Sequence, residues 1–79
     1  MIIIFSKHAL ERMQERPLNK GRVEAALNDP DNVIKKSDHL LAVKRFDNRV
    51  VLVAYREIDG MYYIITAISS SKTNKYLKK

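Results

Sequence analysis

The 79-residue chain has no cysteine. Neither disulfides nor thiolate metal sites can reinforce it, and cysteine usage says nothing about its redox compartment. Glycine and proline are scarce too, two of each, and no repeat or low-complexity linker interrupts the chain. Long apolar runs are missing. The opening "MIIIF" is followed at once by Ser6, Lys7 and His8, far short of a signal-peptide core or a spanning helix. A cytoplasmic protein with no membrane partner is expected. Nothing matches a glycine-rich phosphate loop or a nucleophile elbow. The two histidines stand far apart, with no carboxylate cluster beside them, so the sequence offers no metal-ligand spacing. No metal and no cofactor is expected.

What remains is a chain 46% apolar and 30% charged, too hydrophobic for disorder and ordinary for a globular domain. Its length suits one domain, residues 1–79, burying roughly 60–65% of the surface that its unfolded form exposes. Acid is the scarcer charge: 15 Lys and Arg stand against 9 Asp and Glu, a net +6. That excess on so small a surface favours polyanion partners through counterion release, although solubility alone also rewards a net charge.

Local patterns divide the chain into helices first and strands afterwards. Residues Ile2 to Phe5 suit a short strand. Ser6 is a plausible N-cap for a helix running to about Arg16, where Pro17 disfavours helical geometry in the residue before it. Asn19 can cap a second helix through "KGRVEAAL", which should stop near Asn28 at the breaker cluster "NDP". Beyond Pro30, "NVIKK", "HLLAVKRF", "RVVLVAYREI" and "MYYIITAIS" are rich in β-branched and aromatic residues. The last three are separated by Asp47-Asn48 and Asp59-Gly60, which are two-residue hairpin signals.

Pairing outward from those turns sets Phe46 opposite Arg49, Lys44 opposite Val51, Ile58 opposite Met61 and Arg56 opposite Tyr63. Alternation then sorts the side chains onto two faces. Leu40, Ala42, Phe46, Val51, Val53, Tyr55, Ile64, Thr66 and Ile68 form the expected core face under the helices. Leu41, Val43, Leu52, Ala54 and Ile65 form the apolar middle of the other, with His39, Arg45, Arg56 and Tyr63 at its margin. The expectation is an α+β two-layer fold.

The first helix sets a chemical problem. Ala9, Leu10 and Met13 fall on its buried side, while His8, Arg12 and Arg16 recur at every fourth position along the border of that side. A solvated face laced with charge pairs accounts for such a row, Arg12 and Glu15 lying three residues apart. The chain ends in "SSSKTNKYLKK", with four lysines and no acid in Ser71 to Lys79. A frayed tail is the ordinary reading, but Tyr76 and Leu77 exceed what solubility needs.

The string "FSKHALERMQERPLN", a short second helix, a proline breaker and a strand carrying "IITA" resemble a family of small bacterial and archaeal domains grouped with RelE, ParE and BrnT toxins. The resemblance covers about residues 4 to 76, and its most specific part is the His8 to Arg16 run. It implies two N-terminal helices packed on a curved antiparallel sheet of about four strands, with a short N-terminal strand also compatible. It also implies a toxin-type, metal-independent endoribonuclease that cleaves mRNA by 2′-hydroxyl attack. RNA, an acidic antitoxin protein and the ribosome are the corresponding partners.

That chemistry needs a proton acceptor, a proton donor and cations near the phosphate. Imidazole is the side chain that titrates nearest neutrality, so His8 is the expected proton shuttle, and a place in the first turn of a helix should favour a neutral, proton-accepting ring. Arg12 and Arg16 can clamp phosphate oxygens bidentately. Lys75 and Tyr76 match the basic-plus-tyrosine ending of RelE-like toxins. The expected catalytic set is therefore His8, Arg12 and Tyr76, with Arg16, Arg45, Arg56, Lys72 and Lys75 binding RNA. Arg45 and Arg56 substitute for strand arginines of that family, because the last strand ends with Ser69, Ser70 and Lys72 instead. His39 reads as an ordinary strand-end residue beside Asp38. Two alternatives stand beside the enzyme: a non-catalytic module binding nucleic acid or an antitoxin, and a ParE-like topoisomerase inhibitor.

Overall fold

The computed structural model describes residues 2–15, 18–73 and 77. Strand β1 (Ile2–Phe5) leads into helices α1 (Lys7–Glu15) and α2 (Lys20–Asn28). Strands β2 (Asn32–Lys35), β3 (Leu40–Phe46), β4 (Arg49–Ile58) and β5 (Met61–Ser70) follow. The sheet has five strands in the order β1-β5-β4-β3-β2. β2 to β5 form an antiparallel meander, while β1 pairs parallel to β5, Ile2 beside Met61 and Phe5 beside Ile64. The sheet is thus mixed, not antiparallel with about four strands. Parallel pairing depends on where the helices return the chain, which no local pattern records.

The caps are where the sequence places them. Ser6 Oγ accepts from the Ala9 N–H at 3.0 Å, and Asn19 Oδ1 accepts from the Arg22 N–H at 2.9 Å. Gly21 serves the second cap, since a Cβ there would stand 3.3 Å from Asn19 Oδ1. Both central residues of the Asp59-Gly60 turn have positive φ, as type I′ geometry requires. In the Asp47-Asn48 turn only Asp47 does, the pattern of type II′.

Both expected hairpin registers are present. The helices cover the face carrying Ala42, Val51, Val53, Tyr55 and Ile64. These pack with Ala9, Met13, Leu18, Val23, Ala26 and Leu27 in one buried cluster. Two assignments need correction. Leu10 is 37% exposed, leaving Ala9 and Met13 as the buried residues of α1. Thr66 and Ile68 lie on the far face, because β5 carries a bulge: Tyr55 pairs with Ile64 but Ala54 with Thr66, leaving Ile65 over. One extra residue inverts every later side chain. Ala67 therefore joins the helix side, and Ile68 joins Val43, Val50 and Leu52 on the other.

The bulge also ties the layers together. Where β1 ends, the Ser6 N–H donates to the Ile64 carbonyl at 3.2 Å, and Ser6 Oγ donates to the Ile65 carbonyl at 3.1 Å. One hydroxyl thus caps α1 and fastens it to the bulge. At the rim of the core, Lys20 sits 5.3 Å from the Phe5 ring centroid and Arg22 4.7 Å from that of Phe46, so two cations of α2 serve packing. Among the described residues no helix is long and apolar enough to cross a membrane.

Replacing Ser6 by alanine removes the cap and the tie together. The expected loss is about 1–2 kcal/mol of unfolding free energy, read from urea denaturation; a midpoint equal to that of the unchanged protein would contradict the junction's role.

Candidate nucleic-acid interface

The far face of the sheet is apolar at its centre. Val43, Val50 and Leu52 are fully buried there, with Ile34, Leu41, Ile68 and Leu77 packed around them. Leu77, from the lysine-rich end of the sequence, thus packs on this face, opposite the helices. Strand alternation places Arg45, which pairs with Val50, and Arg56, which pairs with Tyr63, on the same side. Arg56 lies six residues beyond Val50 on β4, so the two arginines are separated by about 20 Å along the sheet at roughly 3.3 Å per residue. They cannot share one phosphate, but they can anchor an extended polyanion.

The other expected site residues fall elsewhere. His8 and Arg12 project from α1 on the helix side, where Arg12 Nε donates to His8 Nε2 at 3.5 Å and Arg12 reaches Glu15 at 3.8 Å. Both are exposed. Arg16, Lys75 and Tyr76 lie outside the described residues. Lys72 is exposed just beyond β5, its N–H donating to Ser70 Oγ at 3.1 Å. Arg45 bends back to its own turn, Nε donating to the Asp47 carbonyl at 2.8 Å. The described residues therefore place the α1 pair and the tail's Leu77 on opposite sides of the sheet, with Arg45 and Arg56 on the side of Leu77.

A different cluster is assembled where the tip of the β2–β3 hairpin faces the end of β4. The Lys36 N–H donates to the His39 carbonyl at 2.9 Å, closing a tight turn over Ser37 and Asp38. His39 Nδ1 lies 2.7 Å from Asp38 Oδ1. Arg56 completes the group, Nε donating to the Asp38 carbonyl at 3.0 Å and Nη2 to Asp38 Oδ2 at 3.3 Å. Asp38 thus orients the imidazole from one side and the guanidinium from the other, and His39 Nε2 has no hydrogen-bond partner among the described residues. The cluster lines an open cleft of about 650 Å³, with Lys35 and Lys36 on one wall and Tyr55 and Ile58 on the other. Sequence reasoning passed over His39 as a strand-end residue. The available signal was its adjacency to Asp38 in a hairpin tip whose register brings Arg56 alongside.

The hydrogen bond from His39, with the nearby positive charge of Arg56, holds the Asp38 carboxyl below its ordinary range. Burial pushes the Tyr55 phenol up, with the neighbouring Tyr62 and Glu57 adding to the effect. Among the described residues, no three His, Asp or Glu side chains gather as a metal cage requires.

A depressed carboxyl stabilises the fold above its unfolded value of about 3.9 and loses that contribution as pH falls through the lower folded value. Asp38→Asn should therefore lower the urea midpoint at neutral pH, and its difference from the unchanged protein should shrink below about pH 4. Midpoints measured across that range check it; a pH-independent difference would contradict the assignment.

Comparison with known proteins finds one family. The model of DUF4258, a domain of unknown function, matches residues 5–69, and the chain belongs to that family. No curated protein and no solved structure matches it.

Proposed function

For this member of DUF4258, we propose that the sheet face opposite the helices binds RNA, as the substrate surface of a RelE-like toxin domain. The observation that carries this reading is the seating of Leu77 on that face. Leu77 belongs to the stretch 71–79, whose sequence holds four of the protein's lysines, and it lies on the side of the sheet that presents Arg45 and Arg56.

The distribution of charge supports the same surface. Residues 71–79 contribute +4 of the net +6. The two helices carry Lys7, Arg12, Lys20 and Arg22 against Glu11, Glu15 and Glu24, a net +1, so they have little field of their own. The cleft is also balanced, Lys35, Lys36 and Arg56 facing Asp38, Glu57 and Asp59. Long-range attraction of a polyanion thus comes from the tail, and the cleft supplies orientation.

Replacing Lys72, Lys75, Lys78 and Lys79 by glutamine should flatten the dependence of log affinity on log salt by up to about 3, at roughly 0.7 for each single-strand phosphate no longer neutralised. Fluorescence anisotropy with a single-stranded RNA across a salt series reads this. Leu77→Ser retains all four lysines but removes the apolar contact with the far face, and should weaken binding at fixed salt. Unchanged affinity in Leu77→Ser would reduce the tail to a flexible polycation and refute the seated geometry.

Cleavage is a second reading, favoured by the Asp38–His39 pair. His39 Nε2 would take the proton of a ribose 2′-hydroxyl as that oxygen bonds to phosphorus. The bond from phosphorus to the 5′-oxygen breaks, and the leaving oxygen takes a proton from water. A 2′,3′-cyclic phosphate and a 5′-hydroxyl result. Loss of such a base lowers the rate roughly 10²–10⁴-fold. Incubation of labelled RNA with the unchanged protein, His39→Ala and His8→Ala separates the possibilities. Loss with His39→Ala alone supports the cleft, loss with His8→Ala alone supports α1, and no cleavage by the unchanged protein leaves a binding module.

A further inference from the structure

The far face is only half covered. Around Val43, Val50 and Leu52 it is closed by Leu77. Toward the β4–β5 turn it is open. There the register aligns Arg56, Tyr63 and Ile4 in one row across β4, β5 and β1, and Ile58, Met61 and Ile2 in the next. Ile2 is 58% exposed, Ile4 40% and Ile58 48%; Met61 and Tyr63 are half-buried. Two rows and three strands span about 7 by 10 Å, room for one or two flat rings.

We propose that this open half is a stacking platform for an unpaired nucleobase, with Tyr63 as the ring beneath the base and Arg56 beside it for the adjoining phosphate. The proposal rests on the reading that this face binds RNA, and it adds the form of RNA selected: single-stranded. A base in a duplex has both ring faces occupied by its neighbours, whereas an unpaired one can exchange water for an aromatic and aliphatic surface.

Three features favour this occupant. Tyr63 stands in its row between a guanidinium and an aliphatic side chain, and its hydroxyl has no hydrogen-bond partner among the described residues. Arg56 uses Nε and Nη2 to hold Asp38, which fixes the guanidinium at the platform's rim with Nη1 left over. Finally, the protein's net +6 complements a polyanion, and Leu77 packs on the same face. An apolar patch in such a field accommodates a ligand that is flat and apolar in its bases and anionic in its backbone.

The test compares single-stranded RNA, the same strand made abasic, and the corresponding duplex, all by anisotropy at low salt. The unchanged protein should bind the single strand about 5- to 150-fold more tightly than the abasic strand. Tyr63→Leu should lose that preference while retaining abasic and duplex affinity, and Tyr63→Phe should preserve it. The abasic comparison needs no variant, so it stands even if a Tyr63 substitution perturbs folding. Equal binding of the single and abasic strands would overturn the platform while leaving the RNA-binding reading intact. Failure of the unchanged protein to bind any strand would overturn the RNA-binding reading itself. Self-association at micromolar concentration, abolished by Ile4→Lys with RNA affinity unchanged, would assign the patch to a second copy and likewise overturn the platform.

Discussion

A sheet that is apolar on both faces needs two covers, and the two helices of this chain supply one of them. Its nine-residue helices close one face with Ala9, Met13, Val23, Ala26 and Leu27. Without cysteines to compensate, burying that surface is the main source of stability open to so small a domain. The second face takes part of its cover from Leu77. Leu77 reaches Val43, Val50 and Leu52, but the part beyond Arg56 and Tyr63 stays open.

That partial cover links folding to the proposed function. A tail rich in lysine would ordinarily fray. Here Leu77 packs against buried valines, which ties that residue to a defined side of the molecule at the expense of its conformational entropy. The isoleucines left exposed at the other end are the counterpart: apolar surface of the same face that is not buried.

The bulge in β5 has consequences out of proportion to its size. It moves Ala67 under the helices and Ile68 to the far face, and its carbonyls receive Ser6. It thereby sets where α1 begins, and with it the position of His8 and Arg12. Alternation read along "MYYIITAIS" is correct up to Ile64 and inverted after it, because an inserted residue leaves no trace in a segment where nearly every side chain is apolar.

Local chemistry alone determined the two capped helices, the turns at Asp47-Asn48 and Asp59-Gly60, the pairing that follows from them, and the face carrying Arg45 and Arg56. Each of these depends on residues close in sequence, whose sterics and hydrogen bonds act over a few positions. Tertiary structure decided the parallel seat of β1, the exposure of Leu10, the return of Leu77 to the far face and the joining of Asp38, His39 and Arg56. Those depend on contacts between segments far apart in the chain, and such contacts are settled by which surfaces remain to be covered once the local elements have formed.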